Sequence, residues 1–445
     1  MRSPYLVLLT WLAWLTFSLF LTACGGGGSS SVGGIPSNST PTGANIALPG
    51  NVSLNSSTDN NVIPLTIDGG PTATKTNYVN GVFATITICM PSTTTCQRID
   101  HVLVDTGSVG LRLLAQSGQG ELSLPLPSIM DRSYSLYECA LFADGYAWGS
   151  VNSADIQLGG ETAKNVPVQI IGAATNLTPS SCPQSAPVNV PENNLASLGA
   201  NGILGVGVFS QDCGLSCTPA PYYDCNTGGC QTTAVVPSIT NQLQNPVTQL
   251  TQDNNGILIQ LPSPGPTGAA VITGQMLLGI NTQSDNTLPS SATQLALVSV
   301  FSSSPIPAGQ LNQAQVNNQT YSTSYFDSGT SIWEVGNQLP ACPNGSAGSG
   351  FACPNPSPQN LQATLYDANN QTAMIGFSLE SATTLFSDYP ANSAFDNLAA
   401  TAPDNQTFVM GLPFFYGKGV ATLFQSKSLP GTGASGPLVA YYSLP

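Results

Sequence analysis

The sequence predicts a mostly β protein whose two halves repeat one motif, and three observations predict it. Short apolar runs alternate with Gly, Pro, Asn and Ser along the chain. With 45 glycines and 35 prolines in 445 residues, no long stretch keeps a 3.6-residue apolar period. Asp105-Thr106-Gly107-Ser108 closes the apolar run Val102-Leu103-Val104, and Asp327-Ser328-Gly329-Thr330 follows Tyr325-Phe326, 222 positions later. Each motif is then followed by an apolar-apolar-Gly stretch. In Gly202-Ile203-Leu204-Gly205 the last glycine stands 100 positions after Asp105; in Val409-Met410-Gly411 it stands 84 after Asp327.

In chain order, residues 1–24 read as a targeting segment. Met1-Arg2 supplies a positive start, Tyr5 to Leu21 is nearly continuous apolar sequence, and Leu21-Thr22-Ala23-Cys24 has the pattern of a bacterial lipobox. The apolar run approaches membrane-spanning length, but the Ala-Cys ending and the glycines behind it favour cleavage, with Cys24 lipidated. Residues 25–57 are Gly/Ser-rich and read as a flexible tether. About 385 residues remain, enough for one large two-lobed protein or two domains, divided here as 58–240 and 241–445.

Charge excludes one class of partner. Only 7% of residues are charged, the net charge is −14 and the sequence pI is near 4.1, so there is no basic footprint for nucleic acid. Cysteine usage agrees with export. Setting aside Cys24, ten of the 11 cysteines form an even set, which in an exported chain reads as disulfides. Sequence proximity suggests Cys89–Cys96, Cys342–Cys353 and a nested pair within 213–230, with Cys139–Cys182 following by elimination. A zinc site in 213–230 is the alternative, disfavoured by its spacing. The sole histidine, His101, rules out a multi-histidine metal site and reads as a strand-edge residue; a nucleophile-histidine apparatus would have to use it.

The duplicated motif carries the chemistry. Two carboxylates held close cannot both ionise cheaply and share a proton, which lets the pair activate a water; aspartic proteases are the worked example of this principle. Gly107 and Gly329 allow close approach, and the flanking hydroxyls can fix the carboxylates. The plainer reading is two Asx/Ser turns at strand ends.

These residues resemble a known family. Asp105–Ser108, Gly202–Gly205, Asp327–Thr330 and Val409–Gly411 are similar to the motifs of pepsin-like aspartic peptidases of the A1 type. Ala154–Gly160 resembles the strand after that family's flap, and Gln275–Asn281 resembles the segment opening its second lobe. The likeness runs from about Tyr78 to the C-terminus and is loose between motifs. The chain also resembles an uncharacterised bacterial lipoprotein family known only as a domain of unknown function. The first resemblance implies a bilobal, mostly β fold with a cleft between two barrel-like lobes. It implies a catalytic dyad of Asp105 and Asp327, with Thr106 and Ser328 cross-linking beneath it and Ser108 and Thr330 bonding the outer carboxylate oxygens. Both motifs lie in one chain, so the site needs no homodimer, and the chemistry needs no metal or cofactor.

Three departures stand out. Arg112 lies near the position of the family's usual tryptophan, and two readings of it are open: a solvated surface residue, or a partner of Asp144. Phe142 falls where the family has its flap tyrosine; Tyr146 is the candidate substitute, with Asp144 and Gly145 at the flap tip. Leu412-Pro413 replaces a polar residue after the second apolar-apolar-Gly. The expected function is hydrolysis of peptide bonds by a lipid-anchored envelope protein, with Gly25 after the lipidated cysteine pointing to the outer membrane. The alternative is a catalytically silent surface module that holds peptide or glycan.

Overall fold

In the computed structural model the described residues are 59–445, apart from 72–77, 116–121, 215–220, 234–235, 301–305, 337–338 and 403. The targeting segment with Cys24 and the tether 25–57 therefore lie outside the described residues. The described part is mostly β: its strands form one sixteen-stranded sheet and two four-stranded sheets, and the helices are short.

The motif repeat seen in sequence is matched by a repeat in strand pairing. In the first half, Cys96–Asp105 runs parallel to Gly202–Val206, with Asp105 opposite Gly205. Val109–Leu114 lies antiparallel on the other side of that glycine strand and parallel to Glu161–Ile171. In the second half, Thr323–Phe326 runs parallel to Thr407–Met410. Trp333–Gly336 is antiparallel to Thr407–Met410 and parallel to Ala399–Ala402. Each aspartate thus leaves a strand paired in parallel with a glycine strand, turns, and returns on that strand's far side. The glycines explain the tightness of the return. A Cβ at Gly205 would lie 2.7 Å from the Val109 backbone, and one at Gly411 would lie 2.1 Å from the Ile332 carbonyl oxygen.

Strands from either side of position 240 share the large sheet: Val62–Asp68 pairs with Gly81–Cys89 and with Ile272–Leu278. Its side chains alternate as a half-buried strand should, with Ile63, Leu65 and Ile67 in the main core. That core continues through Val102, Val104, Leu204 and Val206 beneath one aspartate turn and Phe326, Phe408 and Met410 beneath the other. Trp333 stacks on Phe377 at 4.3 Å between ring centroids beside Phe408 and Phe414.

Four disulfides join pairs of described residues: Cys89–Cys96, Cys139–Cys182, Cys225–Cys230 and Cys342–Cys353. Cys89–Cys96, Cys139–Cys182 and Cys342–Cys353 are the pairs the sequence suggested. Within 213–230 the expected nesting is not found, because Cys225 bonds Cys230 directly opposite it on the paired strands Tyr222–Asn226 and Gly229–Thr232. Cys213 is also disulfide-bonded, and position 217 lies outside the described residues. Among the described residues no group of His, Cys, Asp and Glu could hold a metal ion, and no helix is long and apolar enough to cross a membrane.

Candidate active site

Asp105 and Asp327 meet at the floor of one cavity. Neither Gly107 nor Gly329 has a left-handed backbone; close approach is what requires glycine. A Cβ on Gly107 would sit 2.6 Å from Cγ of Asp327, and one on Gly329 would sit 2.7 Å from Oδ1 of Asp105. The turns are locked to each other by reciprocal hydrogen bonds. The Thr106 amide donates to Ser328 Oγ at 3.1 Å, and the Ser328 amide donates to Thr106 Oγ1 at 2.9 Å. Ser328 Oγ donates onward to the Val104 carbonyl at 2.7 Å, while Thr106 Oγ1 reaches the Phe326 carbonyl at 3.5 Å.

Each carboxylate is held identically from its own turn. Gly107 N–H donates to Asp105 Oδ1 at 2.7 Å and Ser108 Oγ donates to Oδ2. Gly329 N–H donates to Asp327 Oδ1 at 2.8 Å and Thr330 Oγ1 donates to Oδ2 at 2.7 Å. Burial, reinforced by the charge of Asp105 and a hydrogen bond with it, holds the Asp327 carboxyl well above the usual range, and the Thr330 and Gly329 bonds only partly offset this.

The cavity above them has a volume of about 430 Å³. Its wall includes Leu141, Phe142 and Ala143 from the tip of the hairpin joining Tyr134–Leu141 to Tyr146–Leu158, which closes with the Phe142 amide on the Gly145 carbonyl at 2.9 Å. Val208, Phe209 and Leu297 add apolar wall, and Tyr325 and Glu334 add polar groups that sequence reasoning missed. Glu334 is pushed up by burial and then by the charge of Asp404. The signal for it was present: Glu334 stands seven residues after Asp327, as Arg112 stands seven after Asp105.

The other hairpin residues lie elsewhere. Tyr146 does not line the cavity; it is buried with Trp148, Tyr223 and the Cys139–Cys182 and Cys225 sulfurs. A strand alternates faces, so once Phe142 turns toward the cavity the register of the return strand sends Tyr146 into this cluster. Asp144 is exposed, and its charge helps raise Glu192, already pushed up by burial, to about 7. Gly145 is buried against the Val190 carbonyl, 2.5 Å from where a Cβ would lie.

Arg112 fits neither reading open at sequence level. It is 4% exposed, and its guanidinium bonds Glu138 at 2.7 Å and approaches Asp212 at 3.6 Å. Asp144 is not its partner. Glu138 lies on the facing hairpin strand, a contact that no local pattern encodes.

Asn80 was also missed. Fully buried, it donates to the carbonyls of Ser331 and Phe395, both at 2.8 Å, and accepts from the Phe395 amide at 2.7 Å and from Tyr416 Oη at 2.9 Å. It tethers the loop after Asp327 to a turn before Asp105. His101 lies outside the cavity and bonds Asp68 at 3.2 Å and Asp100 at 2.9 Å. It is not at a strand edge as expected but inside the strand Cys96–Asp105, with a left-handed φ of 46° where the pairing with Gly81–Cys89 shifts register.

No curated protein matches the chain. A family model described as "Protein of unknown function (DUF3443)" matches residues 57–441, and the chain belongs to that family.

Proposed function

We propose that this protein is an aspartic endopeptidase with a bilobal, pepsin-like arrangement, held at the bacterial envelope by lipid on Cys24. One observation carries the reading: two Asp-hydroxyl-Gly-hydroxyl turns, cross-bonded through Thr106 and Ser328, bring two carboxyls together at the floor of a cavity large enough for a peptide segment. The repeated strand pairing around each turn supports the two-lobed part.

In this mechanism Asp327 carries the proton and Asp105 faces the water. Asp105 takes a proton as water oxygen bonds the scissile carbonyl carbon, and Asp327 protonates the carbonyl oxygen, giving a gem-diol. The diol collapses as Asp105 returns a proton to the leaving nitrogen and Asp327 regains one from a diol hydroxyl. The dyad ends as it began, with an amine and an acid as products. Phe142 and Ala143 wall the substrate; Ser108 and Thr330 hold the carboxylates in place.

The test is cleavage of a peptide library from pH 3 to 7 by wild type, Asp105→Asn and Asp327→Asn. A bell-shaped profile is expected for wild type, with each variant at least about 10³-fold slower. Hydrolysis at the wild-type rate by folded Asp105→Asn would exclude the mechanism. A second reading, a module that holds peptide or glycan without cleaving it, is favoured by the hairpin, where Phe142 brings no hydroxyl to the cavity and Tyr146 is turned away. It predicts peptide binding without hydrolysis at any pH.

A further inference from the structure

Arg112 is the cation in a buried cluster that the dyad chemistry does not use. It sits on the strand Val109–Leu114, which leaves the Asp105 turn, and its Nη1 donates to the Val109 carbonyl at 2.7 Å. Its Nη2 bonds Oε1 of Glu138, on the strand running to the hairpin tip, at 2.7 Å. Asp212 approaches at 3.6 Å and accepts from Tyr222 Oη at 2.8 Å. Burial, then the charge of Glu138, holds Asp212 well above the usual carboxylate range. Glu138 and Tyr222 are 1% and 0% exposed.

A core ion pair of this kind gives little net stability over an apolar packing of the same volume. Its position has a more specific use. The guanidinium carbon lies 5.9 Å from the centroid of the Phe142 ring, within cation–π range, and Phe142 is part of the cavity wall that includes Asp105 and Asp327. Arginine suits this place because its planar fork bonds carbonyl and carboxylate at once while presenting a delocalised charge to a ring. A phenylalanine is enough at the tip, since the contact needs a ring face and not a hydroxyl.

We propose that Arg112 is a positioning residue for the hairpin: anchored by Glu138 and the Val109 carbonyl, it holds the Phe142 ring at the wall of the Asp105–Asp327 cavity. The ordered tip then shapes the space in which a peptide lies. This rests on reading the cavity as a peptide site, but the anchoring itself can be tested without ligand.

The experiment is a double-mutant cycle read by amide hydrogen exchange across 139–146 and by affinity for a peptide mimic bearing a tetrahedral hydroxyl. One arm is Arg112→Met with Glu138→Gln, so that Glu138 is not left as an unpaired buried carboxylate; the other is Phe142→Leu. Each arm is expected to speed exchange at the tip and weaken the mimic by about 10-fold, and their combination by less than twofold more, because both break one contact. Additive effects would overturn the proposal, since a purely structural Arg112 does not couple to the ring. Should the Arg112 arm fail to fold, replacing Phe142 by cyclohexylalanine decides: the same shape without the ring's charge distribution should speed exchange as Leu does, and wild-type exchange would overturn the proposal. If wild type neither binds the mimic nor cleaves peptide, the peptide reading fails, while the exchange cycle still decides the role of Arg112.

Discussion

Ser328→Ala isolates the lock beneath the two carboxyls. Ser328 is fully buried and its hydroxyl makes two hydrogen bonds, accepting from the Thr106 amide at 3.1 Å and donating to the Val104 carbonyl at 2.7 Å. Alanine fits the space, so no overpacking enters. What is lost is two buried bonds of about 1 kcal/mol each, and the Thr106 amide is left without a partner, which raises the total to about 2–4 kcal/mol. For a body of this size that is a fall in Tm of roughly 2–5 °C. Denaturant unfolding with disulfides intact should show a lower midpoint at unchanged slope. Thr106→Val removes the reciprocal acceptor of the Ser328 amide at 2.9 Å. The double variant should therefore cost at least about 0.5 kcal/mol less than the sum of the two. Stability of Ser328→Ala within about 0.5 kcal/mol of wild type, or strict additivity with Thr106→Val, would refute the claim that these bonds join the turns.

Further expectations follow from the same geometry. Gly107→Ala places a methyl 2.6 Å from Asp327 Cγ, so peptide turnover should fall at least about 10²-fold while far-UV dichroism stays native; unchanged turnover would contradict the close approach. Stability should fall from pH 5 to pH 8. Burial raises Glu161 and Glu192 to about 7, with the charges of Asp253 and Asp144 adding to it, and the Asp68 hydrogen bond raises His101 to about 8. A raised carboxyl contributes stability that is complete below its ordinary pKa and lost as pH climbs through 7; raised His101 contributes below its ordinary pKa and loses it through 8. A melting temperature that rises between pH 5 and pH 8 would refute this, and Glu192→Gln with His101→Gln should flatten the slope. At the N-terminus, Cys24→Ala should release the protein from membranes or leave it unprocessed, and mass spectrometry finding unmodified Cys24 in mature membrane protein would sink the anchor.

Much of the candidate site was legible in the chain because its chemistry is local. An aspartate at the end of an apolar run, followed by hydroxyl-Gly-hydroxyl, forms its own carboxylate cradle: the Gly107 and Gly329 amides and the Ser108 and Thr330 hydroxyls all come from within three residues of the aspartate they hold. Alternating apolar residues likewise specify strands wherever one face is buried, and short-range cysteine pairs such as Cys89–Cys96 close within a hairpin. Duplication of the motif announced a pair before any contact was known.

What only the tertiary structure decided is everything that depends on which faces meet. Sequence alone placed Tyr146 at the cavity as readily as Phe142, because a hairpin tip's register is set by cross-strand pairing and not by residue type. Arg112 read as exposed or as a partner of Asp144, because the desolvation of a charge and the identity of its counterion are set by strands 26 residues apart packing together. Asn80 carries no local signal of its role, yet it satisfies backbone groups of Ser331 and Phe395 more than 250 positions away. Local patterns state what each segment can form; only the packing of distant segments states which polar groups lose water, and so which must find each other.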